Sequence, residues 1–149
     1  MLPSGLITAI DHVGIAVADL DQAIAFYADN FGFTVAHEET NEDRGVREAM
    51  LAVGSSDTCL QLLAPLTHAS PIAKFLDRSG PGIQQLAYRV TSITEAMAAV
   101  RAQGMRLLYD EPRSGTAGSR INFIHPTDAG GVLVELVEPA EPAEPVSVR

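Results

Sequence analysis

Four polar residues stand inside stretches that otherwise read as buried strand. His12 lies in Asp11-His-Val-Gly-Ile-Ala-Val17, Gln61 in Leu60-Gln-Leu-Leu63, Gln85 in Gln84-Gln-Leu-Ala87 and Glu135 in Val134-Glu-Leu-Val137. One imidazole, two carboxamide oxygens and one carboxylate make a borderline-hard donor set. It suits one divalent ion (Co2+ first, or Zn2+, Mn2+, Ni2+ or Mg2+) with positions left for water or substrate. The set is too poor in imidazole and thiolate for a closed structural zinc site. Glu135 weighs most. A carboxylate flanked by Val and Leu needs a cation, a hydrogen-bond network or a water-filled cavity to be buried at all. Singly, His12, Gln61 and Gln85 read as ordinary core or edge residues, and a polar cavity without metal stands as the alternative for the four together.

What brings such distant positions into one group is an internal repeat. Asp11 to Gln22 matches Gln84 to Glu95 in pattern: each block opens with strand character and then switches to a helix. The first helix places apolar residues at Leu20, Ala23, Ile24 and Tyr27, the second at Ile93, Ala96, Met97 and Val100, both at amphipathic spacing. Asp19 and Ser92 fall at the same N-cap position, with Gln22 and Glu95 three residues on. Gly32 and Gly104 are expected to stop the two helices. The halves end in step, Gln61-Leu-Leu-Ala-Pro65 against Glu135-Leu-Val-Glu-Pro139. Strands are expected over 33–39, 46–53 and 58–63 in the first half and over 106–109, 119–124 and 132–137 in the second. The order is βαβββ twice, an α+β fold, with a short linker helix near 71–78. Because side chains alternate along a strand, His12 and Gly14 share a face, as do Gln85 and Ala87. His12 then equals Gln85 in the repeat and Gln61 equals Glu135, so two halves closing about a pseudo-two-fold axis bring the four together. Small Gly14 and Ala87 leave room for a bound molecule.

The composition sets outer limits. At 149 residues with 46% apolar residues the chain is one globular domain, or two small halves sharing a core. No apolar run reaches the ~20 residues of a membrane span, and the start lacks a secretory pattern. Cys59 is the only cysteine, which favours a reducing cytoplasm. A net charge of −9 argues against nucleic acid, which needs a basic face. Arg44, Arg47, Lys74, Arg113 and Arg120 are nonetheless able to form a local positive patch at one mouth. Residues 1–6 read as an N-terminal tail, and 140–149, rich in Pro and Glu, as an extended solubilising tail.

With these residues in view, the paired βαβββ modules resemble the vicinal oxygen chelate superfamily, which includes glyoxalase I and the extradiol dioxygenases. The resemblance covers 7–139: module 1 about 7–66, linker helix about 70–79, module 2 about 82–139. It implies a mixed sheet curved around a metal cavity. Within that group the chain looks like the methylmalonyl-CoA epimerases, on Asn41-Glu-Asp-Arg-Gly-Val-Arg-Glu-Ala-Met-Leu51, Leu108-Tyr-Asp-Glu-Pro112, Gly118-Ser-Arg-Ile-Asn-Phe-Ile-His-Pro126 and Gly130-Gly-Val-Leu-Val-Glu-Leu136. The family's ligands carry over to His12, Gln61 and Glu135. The fourth departs, because many members have His-His where this chain has Gln84-Gln85, and an amide binds softer metals less well than imidazole.

The resemblance implies epimerisation of a CoA thioester by α-proton abstraction, which needs a base and a means of holding the developing oxyanion. It places Glu48 as one acid/base group, with Glu135 as partner on the other face. On residue pattern alone, Glu48 is an outward strand residue paired with Arg47 or Arg44. Thr116, Ser119 and Arg120, at a Gly-rich loop, and Lys74, the sole lysine, are candidate substrate contacts, although such loops are commonly only turns and such a lysine solvated. A homodimer is expected by analogy with the fold. A glyoxalase I-type isomerase is the nearest alternative. An extradiol dioxygenase fits less well, since Gln85 is no imidazole. A metal-free drug-binding module fits poorly with 5% aromatic residues.

Overall fold

A computed structural model of the chain describes residues 1–141. In order the elements are β1 (Ile7–Ala16), α1 (Leu20–Phe31), β2 (Thr34–Asn41), β3 (Val46–Ala52), β4 (Cys59–Pro65), α2 (Pro71–Ser79), β5 (Gly82–Val90), α3 (Ile93–Ala102), β6 (Arg113–Ser114), β7 (Arg120–Ile124) and β8 (Val134–Glu138). The helix caps act as their sequences require. Asp19 accepts from Gln22 N–H at 2.9 Å and Ser92 from Glu95 N–H at 3.2 Å. Gly32 closes α1 in the left-handed region at φ 72°, and α3 ends at Ala102, two residues before Gly104, whose φ is 81°. Helices of 12, 9 and 10 residues are marginal alone, so packing holds them. The α1 stripe of Leu20, Ala23, Ile24 and Tyr27 lies on Ile15, Leu51 and Leu62; the α3 stripe of Ile93, Ala96, Met97 and Val100 lies on Val90, Ile124 and Leu136. No helix among the described residues is long and apolar enough to cross a membrane.

The described strands form one mixed eight-stranded sheet in the order β2-β3-β4-β1-β5-β8-β7-β6. At its centre β1 and β5 run antiparallel, and each has a parallel partner outside it, β4 and β8. This is the pseudo-two-fold arrangement that the repeat demands.

One expectation needs correction. Residues 106–109 are not a strand: a single bridge, Leu107 to Ile124, is formed there. The Asn122 side chain takes the place of the ladder, accepting from Tyr109 N–H at 3.2 Å and donating to Tyr109 C=O at 2.9 Å, and the two-residue β6 becomes the edge instead. The segment expected as an N-terminal tail over 1–6 is mostly exposed up to Gly5 and is anchored at its end. Leu6 is buried under α3 with Leu2 against it, and its carbonyl accepts from Thr91 N–H at 3.0 Å. Of the Pro/Glu-rich segment expected over 140–149, residues 142–149 lie outside the described residues.

Candidate active site

Register explains how four strands deliver one group of side chains. Gly14 on β1 pairs with Gln61 on β4 and with Gln85 on β5; His12 pairs with Ala87, which pairs with Glu135 on β8. Partners in register share a face, so His12, Gln61, Gln85 and Glu135 meet on the concave side. All four are buried, at 2, 1, 2 and 2% exposure. His12 Nε2 lies 2.9 Å from Glu135 Oε1. The Gln85 Nε2 stands near two acceptor oxygens, Gln61 Oε1 at 3.0 Å and Glu135 Oε1 at 3.4 Å, and 3.3 Å from His12 Nε2, while Gln85 Oε1 is buried with no hydrogen-bond partner.

That orphaned oxygen tests whether a cation fits. Turning the Gln85 amide by half a turn would put Oε1 beside the Gln61 and Glu135 oxygens and the His12 ring nitrogen, four lone pairs that a cation would gather once the imidazole sheds its proton. The donors suit a hard or borderline divalent ion. Among the described residues no three His, Cys, Asp or Glu side chains are grouped for a metal; half of this set is glutamine. Gln61 is held for the task, since its Nε2 donates to Glu48 Oε2 and to Thr116 Oγ1, each at 2.9 Å, leaving Oε1 directed at the centre.

Gly14 is required by Gln85. A Cβ there would sit 2.3 Å from Gln85 Cγ and 3.0 Å from Cδ. Gly14→Ala is therefore expected to expel the Gln85 side chain, lowering stability by about 1–3 kcal/mol in a thermal melt. It should also weaken metal binding in a titration; unchanged affinity would remove Gln85 from the donor set.

The β1–β5 register slips three times, between Ile7 and Ala9, between Ile10 and His12 and between Gly14 and Ile15. The extra residues at the last two are Asp11 and Gln84, equivalents in the repeat. The bulge at Asp11 turns it onto its neighbour: Oδ2 lies 2.7 Å from His12 Nδ1, and Oδ1 accepts from Arg89 Nε at 2.8 Å. Burial opposes charge on both partners, yet the bonds to His12 and Arg89 hold the Asp11 carboxyl below its usual range, and Asp11 with Glu135 raises His12 to about 9. Asp11 thus fixes the ring with Nε2 toward the centre. Asp11→Asn is expected to weaken metal binding by roughly 10- to 100-fold with little change in fold, measured by competition with a chromophoric chelator.

Glu48 on β3 is fully buried. Its Oε1 accepts from the Thr116 hydroxyl and its Oε2 from Gln61. Burial pushes its pKa up to about 7; the Thr116 bond and the Arg44 charge pull it down, and Glu39, its direct cross-strand partner, pushes it up again. Two cavities flank the group. One of about 270 Å³ is lined by His12, Met50, Thr116, Ser119, Ile121 and Glu135. The other, about 150 Å³, is lined by Arg44, Ile72, Gln84, Gln85, Tyr109 and Phe123, among others.

Of the residues considered for substrate contact, Thr116 and Ser119 line the larger cavity, whereas Arg120 and Lys74 line neither. Arg120 faces away from the buried run Ile121–Ile124, half-exposed and 3.8 Å from Glu138; Lys74 is exposed on α2. The expected positive patch is dispersed: Arg47 pairs with Asp21 at 3.0 Å and Arg113 stacks on Tyr109. Only Arg44 enters the interior, 3.6 Å from Glu135 Oε2 and over the Phe123 ring. Sequence pattern gave Arg44 no separate weight, since it lies in the β2–β3 turn and belongs to no strand face.

The chain is similar to known proteins in sequence and in fold. Residues 11–123 match a family model described as the Glyoxalase/Bleomycin resistance protein/Dioxygenase superfamily. The ethylmalonyl-CoA/methylmalonyl-CoA epimerase of Cereibacter sphaeroides is 37% identical over 133 residues, 88% of this chain and 98% of that protein. The crystal structure of methylmalonyl-CoA epimerase from Mycobacterium tuberculosis superposes with a TM-score of 0.90 at 60% identity, covering 95% of this chain and 94% of that one. A methylmalonyl-CoA epimerase solved in complex with methylmalonyl-CoA and NH4+ superposes at 0.87 with 46% identity, covering 90% and 96%.

Proposed function

We propose that this chain, which belongs to the Glyoxalase/Bleomycin resistance protein/Dioxygenase superfamily, is an epimerase that interconverts (R)- and (S)-methylmalonyl-CoA by α-proton transfer. The observation that carries the reading is a fully buried carboxyl, Glu48, bonded to Gln61, one member of the His12, Gln61, Gln85 and Glu135 group. Its pKa of about 7 suits proton exchange near neutrality. The names of the relatives support the substrate class.

The α-proton of a thioester is only weakly acidic, so a base alone is not enough. His12, Gln61, Gln85 and Glu135 would hold one divalent ion, Co2+ in the first instance, which supplies Lewis-acid polarisation of the thioester carbonyl. Glu48 accepts the proton from one face of the α-carbon, and the C–H electron pair passes toward the carbonyl oxygen. Glu135, loosened from the donor set and carrying a proton taken up from solvent, would return that proton from the opposite face, which inverts the centre; Glu48 then gives its proton up to solvent, and the two groups exchange roles in the reverse direction. Thr116 and Gln61 keep Glu48 oriented. The lone Cys59 supports a cytoplasmic setting, and the likeness of fold supports a homodimer.

Incubation with methylmalonyl-CoA in D2O tests this directly. Deuterium should enter the α-position as the epimers interconvert, and a chelator should stop both. A protein that neither exchanges nor epimerises when loaded with Co2+ would discard the proposal.

A further inference from the structure

The two ends of the sheet meet. β2 and β6 are its outermost strands, yet Asn41 Nδ2 at the end of β2 donates to Ser114 C=O in β6 at 3.4 Å. The curl of the sheet therefore closes on itself, and it does so at the larger cavity. Residues 115–119, the loop that leaves β6, supply Thr116, Ala117 and Ser119 to the wall that also includes His12 and Glu135.

This loop is tight and holds an unfavourable backbone. Gly115 N–H donates to Ser119 C=O at 2.9 Å, and Ser119 N–H to Thr116 C=O at 3.1 Å. Ala117 adopts φ 54° and ψ 39°, and among the described residues it is the only non-glycine with a positive φ. An L side chain stays in that region only where its surroundings hold it there. What holds Ala117 is Glu39, reaching across from β2: its Oε1 accepts from the Ala117 N–H at 2.7 Å. A bond that short is expected of a charged acceptor. His37 Nε2 stands 3.5 Å from the same oxygen without hydrogen-bonding to it, so it does not compete.

The residue before Ala117 is the one that touches the proposed base. The Thr116 hydroxyl donates to Glu48 Oε1 and accepts from Gln61 Nε2 at 2.9 Å, so the place of the loop decides how Glu48 is held. Glu39 and Glu48 are direct cross-strand partners and share a sheet face. Two neighbouring carboxyl groups thus grip one dipeptide, Glu48 by the Thr116 side chain and Glu39 by the Ala117 backbone. The geometry points to Glu39 as a positioning residue: it clasps the Ala117 backbone and thereby sets the Thr116 hydroxyl against Glu48, a role that rests on the function proposed above. Its acceptor oxygen does this, without contact to the reacting atoms.

The test compares the metal-loaded full chain as wild type, Glu39→Leu, Glu39→Gln, Thr116→Val and the Glu39→Leu/Thr116→Val double variant, with metal content measured on each sample. Two readouts are taken: hydrogen exchange of the Ala117 amide by NMR, and kcat and KM for methylmalonyl-CoA. Glu39→Leu is expected to speed Ala117 exchange by roughly 10-fold and to lower kcat by roughly 10- to 100-fold at unchanged KM and metal content. Glu39→Gln, whose amide oxygen still accepts, should recover most of both. Where Thr116→Val is already present, Glu39→Leu should cost little more, because the two residues act through one contact. Unaltered Ala117 exchange in Glu39→Leu would overturn the clasp. Equal loss of kcat in Glu39→Gln and Glu39→Leu would assign the effect to charge beside Glu48, and additive losses with Thr116→Val would assign it to general loosening; either overturns the positioning role. Wild type that protects Ala117 yet does not epimerise would instead overturn the function on which that role rests.

Discussion

Glu48→Gln is expected to lower kcat for methylmalonyl-CoA by about 1000-fold, within the range that general acid–base catalysis supplies, and to leave KM nearly unchanged. Gln keeps the shape and its Oε1 can still accept from the Thr116 hydroxyl, but its NH2 replaces the oxygen that accepts from Gln61 Nε2, so the base and that one hydrogen bond are lost together. Wild-type turnover should rise with pH through about 7, because Glu48 must be ionised to act as base and burial holds its proton to that value. The same shift has a stability consequence of defined sign. Glu48 binds its proton more tightly folded than unfolded, so its contribution is present at low pH and is lost as pH rises from about 4.5 through 7. Glu48→Gln should therefore melt above wild type at pH 8, by an amount on the order of 3 kcal/mol, and close to it at pH 4.5. Near-normal α-deuterium exchange in a variant that shows this stabilisation would remove Glu48 from the chemistry while leaving its burial correctly described.

How far these residues are visible in the chain itself depends on which physical rule places them. Caps and stripes are local: Asp19, Ser92 and the two amphipathic sets act within a turn or two, and the observed helices follow them. The repeat adds long-range information, because two copies of one module close about an axis, and that axis puts His12 opposite Gln85 and Gln61 opposite Glu135. Five of the six strands expected outside the two repeat-opening ones lie within two residues of the observed ones. The sixth, at 106–109, fails because a side chain and not a backbone neighbour satisfies Tyr109. Strand propensity holds no trace of that exchange.

Asp11 and Gln84 escape the pattern for one shared cause. Alternation assigns adjacent residues to opposite faces, so Asp11 is set against His12, and Gln84 against Gln85. A bulge suspends alternation for one residue, and two of the three bulges in the β1–β5 pair fall beside His12 and Gln85. The repeat carried a usable signal, since Asp11 and Gln84 are equivalent and both polar at the head of a buried strand. Arg44 is invisible to either rule. It lies in the turn between β2 and β3, and only the curl of the sheet brings that turn over Phe123 on β7.

Glu135→Gln and His12→Ala should each lower metal occupancy below one ion per chain and reduce kcat by at least about 1000-fold at limiting metal, as loss of a direct donor exceeds the 10- to 100-fold typical of an outer-shell partner. The two act differently. Glu135→Gln removes the only carboxylate in the group and leaves Arg44 without its counter-charge; His12→Ala removes the only imidazole and strands Asp11 with Arg89. Because a ligating imidazole must shed its proton, and Asp11 with Glu135 raises the His12 pKa to about 9, affinity should fall as pH drops below that value. In His12→Ala that slope should flatten. Gln85→His runs the other way: an imidazole in place of the amide oxygen should shift preference toward Zn2+ and Ni2+ and tighten both relative to Mg2+. Metal analysis of dialysed protein, followed by activity on re-addition of Co2+, separates these outcomes. If Glu135→Gln retains a full equivalent of metal and wild-type exchange of the α-proton, the four side chains are a hydrogen-bonded polar core and the chemistry lies elsewhere in the cavity.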